Sequence, residues 1–355
     1  MTDISVLIET YGSGHAVAAI EDGKIIDFVI DPLEHKDRSL FGSIMVVKVD
    51  APVKGINGTF VSMPDGNKGF LKKTKNLATN SYVMVYVGST AENHKAQPVS
   101  DRLIIKGKYT ILTPGNEGIN ISRAIKNSWI RDNIFSDLSS IEEKLPKGCG
   151  LIVRSCAIKV NRKEIIAEAK AHINTYQSFC NIEFSEPKVV LKPTQAKGYA
   201  LKEWCFKQPV SVIEEETCFD RFGVWEQISK YLQSKVNLSN GGFIMIEQTS
   251  ALIAVDINTG ADLSSSAALK TNLLAMKELP RQLQIRGLGG KLVIEFAPLA
   301  KKDRLKIELE LKRGFDLGGI QTRIVGWTKS GNLELQRKRE KLPISTILLG
   351  DPHFI

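Results

Sequence analysis

The chain has 355 residues, 43% of them hydrophobic, which is enough to bury the cores of two or three domains. Its net charge of +9 favours a polyanionic partner, although many basic proteins bind nothing acidic. No apolar stretch approaches about 18 residues and the start has no basic segment, so the sequence predicts neither a membrane-spanning nor an exported protein. The five cysteines show no paired CxxC spacing, which argues against a zinc cage or a disulfide framework and favours free thiols in a reducing cytoplasm.

Residues 1–39 predict a β-meander. Its strands are Ile4–Ile8, Ala16–Ile20 and Ile25–Ile30, with a turn at Asp22–Gly23 before the third. Nothing in this segment carries chemistry.

Residues 40–101 show the pattern of a small closed barrel. Short β-rich runs at Ile44–Val49, Thr59–Met63 and Val83–Val87 are separated by turns rich in glycine and asparagine. The second of these turns is the one that carries candidate functional side chains.

Aromatic residues and lysines surround that second turn, which Phe60 and Phe70 flank. Single-stranded RNA binding needs this combination, because bases stack on rings, worth about 1–3 kcal/mol each, while lysines neutralise phosphates. The alternative is that one phenylalanine fills the barrel core and the lysines form a solvated rim. These lysines are Lys68, Lys72, Lys73, Lys75 and Lys95.

Residues 102–183 predict a strand pair, a polar loop, a helix, a strand and a second helix. The later strand lies in GCGLIVRSCAI and carries an embedded charge at Arg154. An arginine inside an apolar strand needs a partner, and the Ser155 hydroxyl beside it would complete a phosphate clamp. A salt bridge to Glu142 or Glu143 is the structural alternative, and sequence grounds favour it.

A helical apolar stripe follows in the segment 184–236. At this spacing an aromatic stripe is more often core than ligand site, so we predict a buried helix face. The stripe consists of Phe219, Phe222, Trp225, Ile228 and Leu232.

Two short apolar runs, Phe243–Glu247 and Ala251–Asp256, predict buried strands that each end on a carboxylate. A helix over Ser264–Arg286 follows, with a kink expected at Pro280, and then a third strand over Lys291–Phe296. Helical spacing is shown by Leu269, Leu273, Met276, Leu279 and Leu283.

Two acidic residues are predicted to lie close together, because a strand–helix–strand unit brings the ends of its two strands to one edge of the sheet. Asp256 and Glu295 are therefore expected to face each other, with the amide of Asn258 beside the first. Oxygen ligands of this kind suit Mg²⁺. The alternative is a buried carboxylate paired with Arg281 or Arg286.

The remaining chain predicts a basic amphipathic helix in KKDRLKIELELKRGF and a strand pair in QTRIVGWTKSGNLELQRKREKLP. The run Arg337, Lys338 and Arg339 would either grip phosphates or solvate a surface, and the second is the usual outcome.

Several of these motifs together resemble one known family. The Gly-Gly before the first acid-ended strand, then ALIAVDIN, KTNL and RQLQIRGLGG are similar to the nuclease core of the ribonuclease E/G family. FVSMPDGNKGF resembles its OB-fold signature and GNLELQRKR the close of its nuclease domain. The resemblance covers nearly the whole chain but lacks the family's paired-cysteine zinc link and C-terminal small domain. Those parts normally hold protomers together, so an oligomer is possible but the family's usual one is not expected.

The resemblance implies an α+β, multi-domain fold and a role for each matched residue. The residues implied are Asp256 and Glu295 as magnesium ligands, Asn258 as the group that orients the attacking group, Phe60, Phe70 and Lys95 as RNA-binding residues, and Gly107, Ile111, Arg154 and Ser155 as a pocket for the RNA 5′-monophosphate. The domains implied are an RNase H-like scaffold (1–39 and 184–236), an inserted OB-fold barrel (40–101), a 5′-sensor (102–183), a deoxyribonuclease-I-like nuclease domain (237–345) and a tail (346–355).

The function implied is a cytoplasmic, Mg²⁺-dependent endoribonuclease that cleaves single-stranded RNA and leaves 5′-phosphate and 3′-hydroxyl ends. Three positions depart from the family pattern: Glu295 replaces aspartate, Ser250 replaces an acid, and Ser155 replaces threonine. A catalytically weakened RNA-binding protein derived from the same family is therefore the competing hypothesis. A phosphodiesterase acting on small nucleotides is a third.

Overall fold

The computed structural model has a mixed α+β architecture, and it describes residues 4–33, 40–52, 55, 57–72, 77–92, 95–204, 210–262, 264, 266–349 and 351. The chain divides into two compact units. One consists of Met1–Ser39 and Val210–Ile355, and the other of Leu40–Pro209. Lys73 and Lys75, named above, lie outside the described residues, as does Cys205, one of the five cysteines.

The first three strands confirm the predicted meander. They are β1 (Ile4–Tyr11), β2 (Gly14–Glu21) and β3 (Lys24–Ile30), and consecutive strands pair antiparallel. Asp22 and Gly23 both have positive φ in the turn before β3, which suits the residue types found there.

The next strands form a ring of pairings. They are β4 (Ile44–Pro52), β5 (Gly58–Ser62), β6 (Lys68–Lys72), β7 (Tyr82–Tyr86) and β8 (Gln97–Val99). β4 pairs with β5 and β7, β5 with β6, and β6 with β8. A bridge between Tyr86 and Ser100 then joins the end of β7 to the residue after β8. The strands β6 and β8 were not among the predicted apolar runs, because each is short and partly polar.

A third sheet follows in the same unit, with the strand order β11, β12, β10, β9. Its elements are β9 (Ile105–Lys106), β10 (Thr110–Pro114), β11 (Gly118–Ile121), α1 (Ser128–Asp137), α2 (Ser139–Glu142), β12 (Cys149–Val153) and α3 (Arg162–Cys180). Two expectations are corrected here. GINISR was predicted as a loop but contributes β11, which pairs parallel to β12. Arg154 does not lie inside a strand, because β12 ends one residue earlier and a 3-10 helix begins at Ser155.

The unit 40–209 closes with β13 (Lys188–Leu191), which pairs with β4, and with α4 (Ala196–Glu203). The chain then returns to the other unit with β14 (Val210–Glu214), which pairs parallel to β1.

The predicted aromatic stripe is split between two helices, α5 (Cys218–Arg221) and α6 (Val224–Tyr231). Phe219, Trp225 and Ile228 are buried in the core beneath the first sheet, as expected. Phe222 is instead exposed, because the chain turns at Gly223, which has a φ of 62°. A single helix had been predicted through this point.

The last sheet carries the predicted acids and has the strand order β15, β16, β17, β18, β20, β19. Its elements are β15 (Lys235–Asn237), β16 (Phe243–Gln248), β17 (Ile253–Asn258), α7 (Ala267–Ile285), β18 (Gly290–Glu295), α8 (Arg304–Gly318), β19 (Thr322–Trp327), β20 (Leu333–Arg337) and α9 (Ile344–Ile347). The predicted strand–helix–strand unit and the final helix and strand pair are confirmed. Apolar residues from one face of the sheet pack with α7 and α8, so the opposite face carries the polar side chains.

Two residues of this region, Pro280 and Arg337, lie in surroundings that differ from the sequence-based expectations. α7 continues through Pro280, whose ring lies against Gly314 of α8, where a Cβ would come within 2.5 Å. Arg337 is buried and donates hydrogen bonds to Leu288 O at 3.1 Å and to Gln284 Oε1 at 2.6 Å. Arg337 therefore neither grips phosphates nor solvates a surface, contrary to both predicted alternatives.

Candidate functional site

The two predicted acids are direct neighbours on the polar face of the last sheet. Asp256 of β17 and Glu295 of β18 are register partners in the parallel pair, so their strands lie about 4.8 Å apart at this position. Both side chains are exposed. Asn258 lies two residues beyond Asp256 and therefore on the same face, and its Nδ2 donates a hydrogen bond to Asp256 Oδ2 at 2.7 Å.

The two arginines that offered a structural explanation for the acids have other partners. Arg281 donates to Glu278 at 2.7 Å, and Arg286 donates to Gln282 Oε1 at 2.9 Å. Burial lowers the pKa of Arg286 to about 10, since the charged guanidinium is removed from water. The alternative of a buried carboxylate paired with Arg281 or Arg286 is therefore wrong.

The side chains at this edge offer the type of ligand atom, oxygen, that Mg²⁺ prefers. They are two carboxylates and an amide on an open, water-accessible face, and Mg²⁺ is usually bound by one or two carboxylates while retaining several waters. Within the described residues, no group of three or more His, Cys, Asp and Glu side chains is arranged to hold a metal. Two protein carboxylates with water completing the coordination shell are consistent with both observations.

Neighbouring strands add groups that the sequence analysis did not single out. Phe243 of β16 is the register partner of Asn258, and Lys235 Nζ of β15 lies 4.3 Å from the centroid of the Phe243 ring. Glu247 and Glu334 lie on the same face, on the strands that flank β17 and β18. The sequence signal that could have identified this pair is a lysine, Lys235, and a phenylalanine, Phe243, on either side of the Gly241–Gly242 turn.

The same Lys235 lines a basic cleft of about 600 Å³. The cleft runs between β15, α6 and α7, all within one unit, and five cations line it against one acid, Glu278. The cations are Lys24, Lys230, Lys235, Lys277 and Arg281.

The barrel residues named from sequence also come together. Phe60 and Phe70 are register partners on β5 and β6, with ring centroids 5.5 Å apart, and both are half-buried. The core between these strands is instead formed by residues such as Val61 and Leu71, so neither phenylalanine fills it. Phe60 and Lys95 line one pocket of about 530 Å³. Lys95 is exposed and forms an ion pair with Glu92.

The four residues assigned to a 5′-phosphate pocket lie in one neighbourhood but differ in their surroundings. Arg154 and Gly107 are in direct contact, because Arg154 Nη1 donates a hydrogen bond to Gly107 O at 2.7 Å. Ile111 is on β10, paired with Lys106 and Ile152, and Ser155 is exposed. The expected salt bridge of Arg154 to Glu142 or Glu143 is wrong, because its ionic partner is Glu203, at 2.9 Å.

A carboxylate lies behind this pocket. Glu168 of α3 accepts hydrogen bonds from the backbone N–H groups of Lys108, Tyr109 and Thr110 at 2.7–2.8 Å. Gly107 allows this approach, because a Cβ there would lie 2.4 Å from Glu168 Cδ and 2.5 Å from His172 Nε2. Burial lowers the pKa of His172, and the nearby Glu168 charge opposes that effect only partly.

Comparison with known proteins shows which proteins the chain resembles. A model of the ribonuclease E/G family matches residues 104–209 and 194–340, more than half of the chain. The chain belongs to the ribonuclease E/G family. It is 25% identical to ribonuclease E of Nostoc sp. over 92% of its own length and 24% identical to ribonuclease G of Escherichia coli K12 over 98%. It spans 55% of the length of the first relative and 82% of the second.

A third relative, ribonuclease E of Synechocystis sp., is 26% identical over 84% of this chain, which covers 52% of that protein. The chain therefore spans about half the length of the ribonuclease E relatives that it matches. Among the described residues, no helix is long and apolar enough to cross a membrane.

Proposed function

We propose that this protein is an endoribonuclease that cleaves single-stranded RNA in RNA processing or decay. The observation that carries the proposal is the in-register pair Asp256 and Glu295, with Asn258 bonded to the first, on the open face of a sheet. This arrangement occurs in a chain that belongs to a ribonuclease family. Neither the family nor the fold alone assigns the chemistry, so the site carries the argument.

Asp256 and Glu295 would hold Mg²⁺ through their carboxylate oxygens. When bound, the metal supplies Lewis-acid polarisation of the scissile phosphate and a lowered pKa for a coordinated water. Asn258, held by its hydrogen bond to Asp256, would position the attacking water through its amide oxygen. In-line attack by this water on phosphorus would form a new P–O bond and break the bond to the 3′ oxygen, which takes up a proton. The products are a 5′-phosphate and a 3′-hydroxyl.

Two surfaces would bind the RNA. On the barrel, the half-buried rings of Phe60 and Phe70 present stacking faces, and the exposed Lys95 leaves its solvent-screened pair with Glu92 at little cost to meet a phosphate. Beside the acids, Phe243 and Lys235 offer a second stacking ring and cation, and Lys235 also lines the basic cleft. The net charge of +9 agrees with a polyanionic substrate.

The finer assignments belong to this proposal. They comprise the RNase H-like, OB-fold and deoxyribonuclease-I-like domains with the predicted boundaries, the role of Gly107, Ile111, Arg154 and Ser155 at the RNA 5′ end, and a cytoplasmic location. The barrel-like ring of pairings supports the OB-fold assignment. The free thiols of Cys149, Cys180 and Cys218 support a cytoplasmic location.

The test is incubation of the protein with an A/U-rich single strand, with Mg²⁺ and with chelator, followed by mapping of the product ends. We expect the wild-type protein to cleave the RNA only when Mg²⁺ is present. The variant Asp256→Asn should not cleave the RNA but should bind it as tightly as wild type does. Glu216→Gln, an exposed acid after β14 and outside the site, is the matched control and should retain cleavage. Tight RNA binding without cleavage by wild type would leave the RNA-binding protein as the function.

A further inference from the structure

The cations beside the proposed 5′-phosphate pocket already hold an internal carboxylate. Glu203, the last residue of α4, places Oε2 2.9 Å from Arg154 Nη2 and 2.8 Å from Lys106 Nζ. The three side chains are only 17%, 28% and 16% exposed in the order Arg154, Lys106, Glu203. Solvent and salt screen such a group less than a surface ion pair.

Further donors of this region are occupied as well. Arg154 Nη1 donates to Gly107 O at 2.7 Å and to Lys202 O at 3.0 Å, so the guanidinium is fixed against the end of α4. The carboxyl end of a helix carries partial negative charge, which favours the arginine there and disfavours an anion. The backbone N–H groups of residues 108–110, which could otherwise bind an anion, all donate to Glu168.

The charge balance gives these contacts a consequence for the substrate. Lys106 and Arg154 supply two positive charges and Glu203 removes one, which leaves these three side chains with a single net positive charge. A terminal phosphate carries about −1.5 to −2 at neutral pH and would have to approach the Glu203 carboxylate or displace it.

We infer that Glu203 is a specificity-determining residue that occupies the phosphate-binding position and makes the protein indifferent to the phosphorylation state of the RNA 5′ end. The substrate class that follows is single-stranded RNA engaged at internal sites, whether its end carries a hydroxyl or a monophosphate. The inference rests on the proposed function in assigning Arg154 to the RNA 5′ end. Without Glu203, Arg154 would be available to clamp the 5′-phosphate, and Glu203 prevents this binding.

The experiment compares two otherwise identical fluorescent A/U-rich oligoribonucleotides, one with a 5′-monophosphate and one with a 5′-hydroxyl. The ratio of kcat/KM for the two should be near one for wild type. Glu203→Gln should raise the ratio in favour of the monophosphate by about tenfold, the scale of one lost charge repulsion. Glu203→Ala is the second variant, and Glu117→Gln, an exposed acid in the loop after β10, is the control and should behave as wild type.

A binding arm separates this inference from the proposed function. The affinity ratio for the same two oligonucleotides is measured with chelator present, so it does not depend on cleavage. If neither RNA is cut, the proposed function fails, while a tenfold gain in the affinity ratio on removing Glu203 still supports the inference. A monophosphate preference already present in wild type, or an unchanged ratio in both Glu203 variants with wild-type melting temperatures, would overturn it.

Discussion

At position 295 a glutamate side chain, rather than a shorter aspartate, faces Asp256. The two residues are register partners, so the strands fix the distance between their Cα atoms and the side chains alone adjust the position of the oxygens. Mg²⁺ requires nearly ideal octahedral geometry at about 2.1 Å, which makes the reach of each carboxylate important.

We therefore predict that Glu295→Asp lowers Mg²⁺-dependent cleavage, because it withdraws one ligand by about one C–C bond from a site built around the longer side chain. Mn²⁺ binds such sites more tightly and should restore part of the rate. The measurement is the cleavage rate of both proteins as a function of each metal concentration. A rate that rises in the variant with Mg²⁺ would show that the site has not adapted to glutamate.

His172 is a second residue whose environment has a measurable consequence. Its pKa is lowered mainly by burial, so the unfolded chain binds a proton more readily than the folded one. This contribution to stability is complete above the unfolded pKa of about 6.5 and is lost as pH falls from there toward the folded pKa.

We expect His172→Gln to flatten the decline of the unfolding free energy between pH 7 and pH 5, by at most about 1.4 kcal/mol per pH unit for one proton. Urea unfolding of both proteins across this range measures the slope, and the values at pH 8, where the imidazole is neutral in both states, serve as the reference. Parallel pH profiles would show that His172 does not titrate differently on folding.

At the scale of elements, the antiparallel pair β5 and β6 turns Phe60 and Phe70 to one side and Val61 and Leu71 to the other. The alternation along each strand separates a core face from an outward face, and the phenylalanines lie on the outward face. This geometry favours base stacking over the core alternative that the sequence left open.

The corresponding prediction is that Phe60→Ala weakens single-stranded RNA binding by about 1–3 kcal/mol. It should destabilise the fold by less than the about 3–5 kcal/mol that truncating a core phenylalanine costs. Binding titration and thermal melting separate the two effects, and Tyr82→Ala, a half-buried aromatic on β7, is the control for general loss of structure. A large fall in melting temperature with unchanged affinity would return Phe60 to the core.

At the scale of the whole molecule, a buried polar network joins segments from opposite ends of one unit. Lys341 forms an ion pair with Asp27 of β3 and donates to Phe28 O at 3.0 Å and Gln284 O at 3.3 Å. Gln284 of α7 in turn donates to Asp27 at 2.8 Å. The meander is thereby fixed to the helix that connects the two acid-bearing strands.

We predict that Lys341→Met destabilises the protein by about 3–5 kcal/mol, because it leaves the Asp27 carboxylate buried without its cation. The double variant Asp27→Asn with Lys341→Met should be less destabilised than the sum of the two single variants, since each removes the same interaction. Chemical unfolding of the four proteins gives the coupling energy. An additive result would contradict a shared buried pair.

The sequence by itself determined the elements that local periodicity encodes. Apolar runs and glycine turns specify the meander, and the strand–helix–strand unit specifies that Asp256 and Glu295 meet, because a parallel connection returns the second strand beside the first. Those two acids were therefore placed together without any structure. The sequence also shows that lysines lie close to Phe60 and Phe70, but it does not show which face of the barrel strands these side chains occupy.

Only the tertiary structure decided which distant side chains pair. Glu203 reaches Arg154 across 49 residues, and β14 joins β1 across more than 200, and no local pattern records either contact. The burial of Arg337 likewise depends on acceptors supplied by a helix and a neighbouring strand. A charged side chain has the same local pattern whether its partner is water, a phosphate or an internal carboxylate, and only the packing of separate elements selects among them.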